Sequence, residues 1–339
     1  MEQLVLVTAI AAVCAAPMAA MAGNTVYGSL SYSVNSVDQD TATGQDGLSG
    51  EDNVSLLGVK GSIGDDIKAF YHLQTGAPAD ANGGQAFDQR FYFGGLSGSF
   101  GKVAYGRMTN AYKFAGFAMD PFYNLSHVNA LGLVAFGGAT YGLSPATNGF
   151  TDNALQYTSP SLGGNFKLNA SAYIDDADDD EHGFNVGGHW TADAFNVGVQ
   201  FASNGTNSTI PGVAADGDAV RVYGGYKADK WSVGVSYESV DISRTTPATF
   251  EGDVGYLYIT GRYMVAPKTE LIGSIGAVDD GPEEGTGYIG GVFHTIAPKT
   301  QIYATYSTAN IEPASGLGTE KDPSVFAIGA RHKFSFGGS

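Results

Sequence analysis

The chain has 339 residues, 49 of them glycine; only 15% are charged, with 34 acids against 17 bases for a formal charge of −17. Charge this sparse, beside a hydrophobic content of 43%, fits neither a disordered chain nor the well-charged surface of a soluble domain. The acidic balance argues against a nucleic-acid partner, because phosphates need a basic surface.

The first feature in chain order is the apolar run "LVLVTAIAAVCAAPMAAMA", which ends in Ala20-Met21-Ala22, a small-x-small pattern. Residues 1–22 read as a cleaved secretory signal peptide and 23–339 as a single domain, although the opening Met-Glu-Gln lacks the usual basic residues. Cys14 lies inside the run, so the exported domain would hold no disulfide, thiol nucleophile or cysteine metal site.

From residue 23 onward one pattern repeats: about ten alternating residues, then a break. In "NTVYGSLSYSV" Val26, Leu30, Tyr32 and Val34 oppose Thr25, Ser29, Ser31 and Ser33. In "NFKLNASAYI" Phe166, Leu168, Ala170 and Ala172 oppose Lys167, Asn169, Ser171 and Tyr173. In "WSVGVSYE" Trp231, Val233, Val235 and Tyr237 oppose Ser232, Gly234, Ser236 and Glu238. A period of two is the signature of a strand with unlike faces.

The breaks come alternately short and long. The short ones are "SIGDD", "SGSFG", "SPSLGG", "TADA", "KADK", "VAPK" and "IAPK"; the long ones lie near 36–51, 77–86, 109–151, 175–183, 204–217, 240–253, 278–286 and 310–322. This predicts an all-β fold, a 16-stranded antiparallel transmembrane β-barrel with tight turns at one end and long loops at the other. Backbone polar groups in lipid must all be paired, so such strands must close on themselves. The apolar faces then meet lipid, and the polar faces, Glu238 included, meet water in a pore.

The third long break is apolar, with Phe114, Phe117, Met119, Phe122, Tyr123, Leu125, Leu131, Leu133 and Phe136. A loop of this length serves a function or is disordered; its side chains would pack on the inner wall or form a greasy constriction. Lys113 and Asp120 are its main charges. The fourth loop holds Asp175, Asp176, Asp178, Asp179, Asp180 and Glu181, a solvated tip or a site for calcium or magnesium without EF-hand spacing. A similar cluster recurs at Asp279, Asp280, Glu283 and Glu284. Most of the acids fall in the long loops, against three bases there (Lys113, Arg244, Lys321). That places a negative field at the outer mouth and predicts moderate cation selectivity. The six histidines form no H-x-x-x-H pair, and no nucleophile elbow, P-loop or dinucleotide fingerprint stands in context. An enzyme is not expected.

"SLLGVKGSIGDDIKAFYHLQTG" (55–76), "FDQRFYFGGLSGSFGKVAYGRM" (87–108), "NALQYTSPSLGGNFKLNASAY" (153–173) and the closing "AIGARHKFSF" resemble Gram-negative general diffusion porins. The resemblance implies an outer-membrane homotrimer among lipid and lipopolysaccharide. It also implies passive diffusion of small hydrophilic solutes and ions, and a third loop folded into the lumen. On a porin strand Arg90 would share the lumen face with Asp88 and Tyr92, and Arg107 would join it at the constriction, with Lys113 and Asp120 on the loop. The terminal aromatics Phe334 and Phe336 would carry the assembly signal. The chain departs from the family at Leu56, Gln156 and Ala135, where relatives often carry two bases and an acid, and Gly337-Gly338-Ser339 follow the last aromatic. Two other readings stand beside diffusion: a substrate-selective channel using the apolar third loop, and a non-conducting adhesin or receptor whose acidic loops bind partners.

Overall fold

The computed structural model describes residues 23–40, 46–78, 87–117, 120–122, 125, 147, 149–174, 183–204, 217–244, 250–281, 283–313 and 319–337. The strands are β1 (Asn24–Asp38), β2 (Gly47–Asp52), β3 (Leu56–Ile63), β4 (Lys68–Gly76), β5 (Gln89–Gly98) and β6 (Gly101–Met108). A short helix, α1 (Ala111–Phe117), follows, then β7 (Thr151–Thr158), β8 (Phe166–Tyr173), β9 (Phe184–Ala192), β10 (Phe195–Asn204), β11 (Gly217–Lys227) and β12 (Trp231–Arg244). The last five are β13 (Phe250–Ala266), β14 (Thr269–Asp279), β15 (Glu283–Ala297), β16 (Thr300–Pro313) and β17 (Ser324–Gly337).

Apart from β2 and β3, which do not pair with one another, each strand pairs antiparallel with its sequence neighbours, and β17 returns to β1 from Thr25 opposite Gly337 to Asp38 opposite Ser324. The sheet is therefore closed. The other edge of β1 is covered by two segments: β2 pairs with Tyr32–Val37 and β3 with Asn24–Ser29. They form one stave interrupted at residues 53–55, so the barrel has sixteen staves. At the interruption Val54 adopts a φ of 61°, in the left-handed region. Side chains and turns replace the missing ladder bonds: Asn53 N donates to Ser31 O at 2.7 Å, and Ser31 N to Ser55 Oγ at 3.1 Å.

The seven tight turns fall where the short breaks predicted. The long loops differ in extent. The first is confined to residues 39–46, because Gly47–Asp52 is strand, and the seventh to 280–282. The apolar alternation ends at the membrane edge, whereas hydrogen bonding runs on. About ten residues suffice to cross a bilayer, yet β13 has 17 and β15 has 15.

The faces follow the alternation. On β12 Trp231, Val233, Val235 and Tyr237 are exposed on the outside, while Ser236 and Glu238 are buried inside. The same parity puts Leu257 and Ile259 outside and Tyr256 and Tyr258 inside on β13. Some of the abundant glycine has a packing reason. Gly58, Gly198 and Gly329 stand directly opposite Tyr27, Tyr223 and Tyr303. A Cβ at each would lie 2.2–2.4 Å from its tyrosine's Cζ, so the bare backbone lets each ring lie flat across the ladder.

The inner face of β12–β17 carries an apolar patch. Val240, Val254, Ile272, Val278, Ile289, Phe293, Ile311 and Val325 form one cluster with Tyr112, Phe122 and Leu125 of the third loop. The loop is folded inside the barrel, and its apolar groups have a core to join. Met119, Tyr123, Leu131, Leu133 and Phe136 lie outside the described residues, as do the expected signal peptide at 1–22 and the acids Asp175, Asp176, Asp178, Asp179, Asp180 and Glu181.

Candidate pore constriction

The third loop leaves β6 at Met108 and turns at once into α1. Asn110 caps the helix, its Oδ1 accepting from Lys113 N at 2.7 Å. The loop then runs along the inner wall. Arg221 on β11 reaches the Tyr112 carbonyl at 3.5 Å, the Tyr258 hydroxyl on β13 donates to Asp120 Oδ1 at 2.7 Å, and Phe122 packs on Phe293 of β15. On the return limb Thr147 Oγ1 donates to Glu238 Oε1 at 2.7 Å.

Glu238 faces inward as expected but does not meet the pore water. It is buried under the loop, directly opposite Arg221, whose Nε donates to Ser236 Oγ at 2.8 Å. Asp120 is likewise buried and serves as an anchor of the loop. Burial pushes its carboxyl up to about 7, against the lowering effect of the bonds from Tyr258 and Phe122 N.

Arg90, Arg107 and Lys113 converge on one ring, that of Phe150. Their charged groups lie 5.1, 5.3 and 5.1 Å from its centroid, within cation–π range. Both arginines sit where the ladder slips. Gln74 pairs with Phe91 and Thr75 with Gln89, so Arg90 is the extra residue of a bulge and its Nε donates to Gln74 Oε1 at 2.9 Å. The β6–β7 register shifts between Gly106 and Met108, beside Arg107. There Gly106 has a φ of +134°, and a Cβ would stand 2.2 Å from Tyr92 O. Such slips re-aim side chains. Arg107 bridges Asp152 at 2.7 Å and donates to Gln89 O at 3.2 Å. Burial first, then the charge of Arg90, lowers the Lys113 ammonium to about 8.

Tyr92 requires a correction. It is 41% exposed and lies on the outer face, opposite Leu73 and in parity with Leu96. The bulge at Arg90 breaks the alternation that joined Asp88, Arg90 and Tyr92 on one face. The residues that do face inward are Phe91 and Phe93, packed around His72. Asp88 is exposed at the outer end of β5, its carbonyl accepting from Gly76 N at 2.8 Å. Phe334 and Phe336 are adjacent on the lipid side, their centroids 5.8 Å apart; Phe334 covers Gly28 and Phe336 is exposed. Asp279, Asp280 and Glu284 are exposed, with ligating atoms within 4.8 Å of one another.

Further charges on the wall complete the picture. Strand parity turns Lys60, Lys102, Lys167, Lys227, Arg262, Arg331 and Lys333 into the lumen. Inward acids on the strands include Glu51, Glu238 and Glu270, with Asp88 and Asp152 beside the two slips. The sequence puts Lys167 on a polar face but does not show these bases as one group, because each is a lone charge in an alternating segment. Only closure of the barrel gathers them.

Residues 7–312 match the family described as Gram-negative porin. The chain belongs to that family. Family and barrel together define an outer-membrane channel and point away from an enzyme. No curated protein sequence matches the chain. Among solved structures it is similar to the anion-selective porin of Comamonas acidovorans, at 17% identity and a TM-score of 0.72, covering 92% of this chain and 99% of that one. It is also similar to Salmonella typhi OmpF in complex with daunomycin, at 15% and 0.70, covering 92% and 97%. The trimer form of Vibrio cholerae OmpT matches at 17% and 0.68, covering 92% and 100%.

Proposed function

We propose that the chain forms a trimeric diffusion channel for small hydrophilic solutes whose filter favours anions. The observation that carries the anion preference is the convergence of Arg90, Arg107 and Lys113 on Phe150, with Asp152 the acid bridged there. Low-dielectric walls magnify charges at a narrow point. Among the described loop acids, Asp279, Asp280 and Glu284 are exposed where β14 gives way to β15, and such charges are screened beyond roughly 8 Å at physiological salt. The near bases therefore outweigh the remote acids, and the cation preference expected from the loop composition is replaced. That expectation gave the field at the mouth and the bases missing at Leu56 and Gln156 more weight than Arg90, Arg107 and Lys113 beside the constriction. The anion-selective Comamonas porin and the OmpT trimer support the selectivity and the assembly by analogy of fold.

Liposome swelling tests the channel reading. Vesicles bearing the purified protein should swell in small sugars, and more slowly as the sugar grows. Vesicles that fail to swell in any sugar would leave a non-conducting surface barrel as the better account.

A further inference from the structure

A cavity of about 800 Å³ lies between α1 and the wall formed by β4–β11. It adjoins the cluster around Phe150, but its lining has a different chemistry. On the loop side Phe114 is 58% exposed, beside Met108. On the wall side stand Phe91 and Phe93, their rings held edge to face 6.0 Å apart, with His72 stacked on Phe91 at 5.0 Å. Lys102 is exposed in the same wall, its Nζ 4.3 Å from the centroid of Phe70 and 5.8 Å from that of Phe93. Across the cavity Lys167 and His189 are cross-strand partners. None of the described residues lining the cavity is an acid.

We propose that this cavity is a binding subsite for small amphipathic monoanions, aromatic monocarboxylates above all. Phe114 and the Phe91–Phe93 wall line the same cavity, so an aromatic ring held there removes apolar surface from water. Its carboxylate then reaches Lys102, with Lys167 as the alternative cation. A channel that only needs to pass hydrophilic solutes gains nothing from an exposed phenylalanine beside its narrowest part. Chloride brings no apolar face to the aromatic walls, and a neutral aromatic brings no negative charge to the lysines. The volume is that of a small-molecule site. The proposal deepens the channel reading and rests on it.

The test is chloride current through the trimer in planar bilayers, titrated with benzoate, acetate or benzyl alcohol. Benzoate should block saturably at a concentration about tenfold below that of acetate, the increment expected from burying part of a ring. Benzyl alcohol should block no better than acetate. Lys102→Gln and Phe114→Ala should each weaken the benzoate block several-fold, with heat-modifiable gel migration reporting that each variant is a folded barrel. A folded protein that carries no chloride current overturns the channel reading and the subsite together. A protein that conducts chloride but is blocked alike by acetate and benzoate overturns the subsite alone. So does a benzoate block that neither substitution changes.

Discussion

Arg221 and Glu238 stand directly opposite one another on β11 and β12, both buried, and the two limbs of the third loop meet at them. Arg221 reaches the Tyr112 carbonyl on the outgoing limb; Glu238 accepts from the Thr147 hydroxyl on the returning one. One cross-strand pair therefore holds both limbs of the constriction. Glu238→Gln would leave the guanidinium buried without its carboxylate, at a cost of about 3 kcal/mol. The expected outcome is faster amide exchange in α1 and noisier single-channel current. Thr147→Val should do the same more weakly, by about 1–2 kcal/mol. Exchange in α1 unchanged by Glu238→Gln would mean the loop is held elsewhere.

Asp120 gives the loop a pH dependence. Its folded pKa of about 7 is raised above the ordinary carboxylate value of 3.8. Its protonation therefore favours docking: that contribution is fully present below the ordinary value and is lost as pH rises through about 7. Lys113, lowered to about 8, has the opposite linkage, but between about 8 and its ordinary 10.5. Between pH 4 and 7 the Asp120 contribution governs. The protection of α1 amides relative to their intrinsic, base-catalysed exchange rate should fall over that range in the wild type, and Asp120→Asn should flatten that dependence.

The loop also rests on apolar burial. Phe122 is fully buried against Phe293. Phe122→Ala should loosen the loop by about 3 kcal/mol, read as an altered conductance with the barrel's heat-modifiable migration retained.

The orientation of β5 can be tested directly. Tyr92 faces outward and Phe91 inward, so Tyr92→Ala should leave conductance unchanged while Phe91→Ala raises it. The reverse pattern would restore the simple alternation through Arg90.

Phe334 packs over Gly28, whereas Phe336 is exposed. Phe336→Ser should therefore slow assembly without loosening the β1–β17 closure. Outer-membrane levels after pulse labelling check the first effect, and resistance to heat the second.

The staves, their order and the turn positions were legible because barrel closure imposes a period of two and an alternation of loop lengths. Trp231 to Glu238 is the plainest case, with every side chain on its expected face. Two kinds of feature were not legible. The bulge at Arg90 turns on one extra residue, and "FDQRFYF" alternates as well with it as without it, so Tyr92 was placed inside. The pairing of Arg221 with Glu238 joins residues in separate segments that only register brings together. Burial under the third loop then turned Glu238 from a pore charge into an anchor. Phe150, where three cations meet, ended an apolar loop and carried no signal of its own.

In the proposed channel the bases gathered at Phe150 set the ion preference of the pore. The direct measurement is the reversal potential of the protein in planar bilayers under a KCl gradient, for the wild type and for Arg90→Ala. Anion preference should strengthen as overall salt rises, because exposed loop charges are screened before those at the constriction, and should fall in Arg90→Ala. A wild-type potential of the cation-preferring sign at every salt concentration would contradict it.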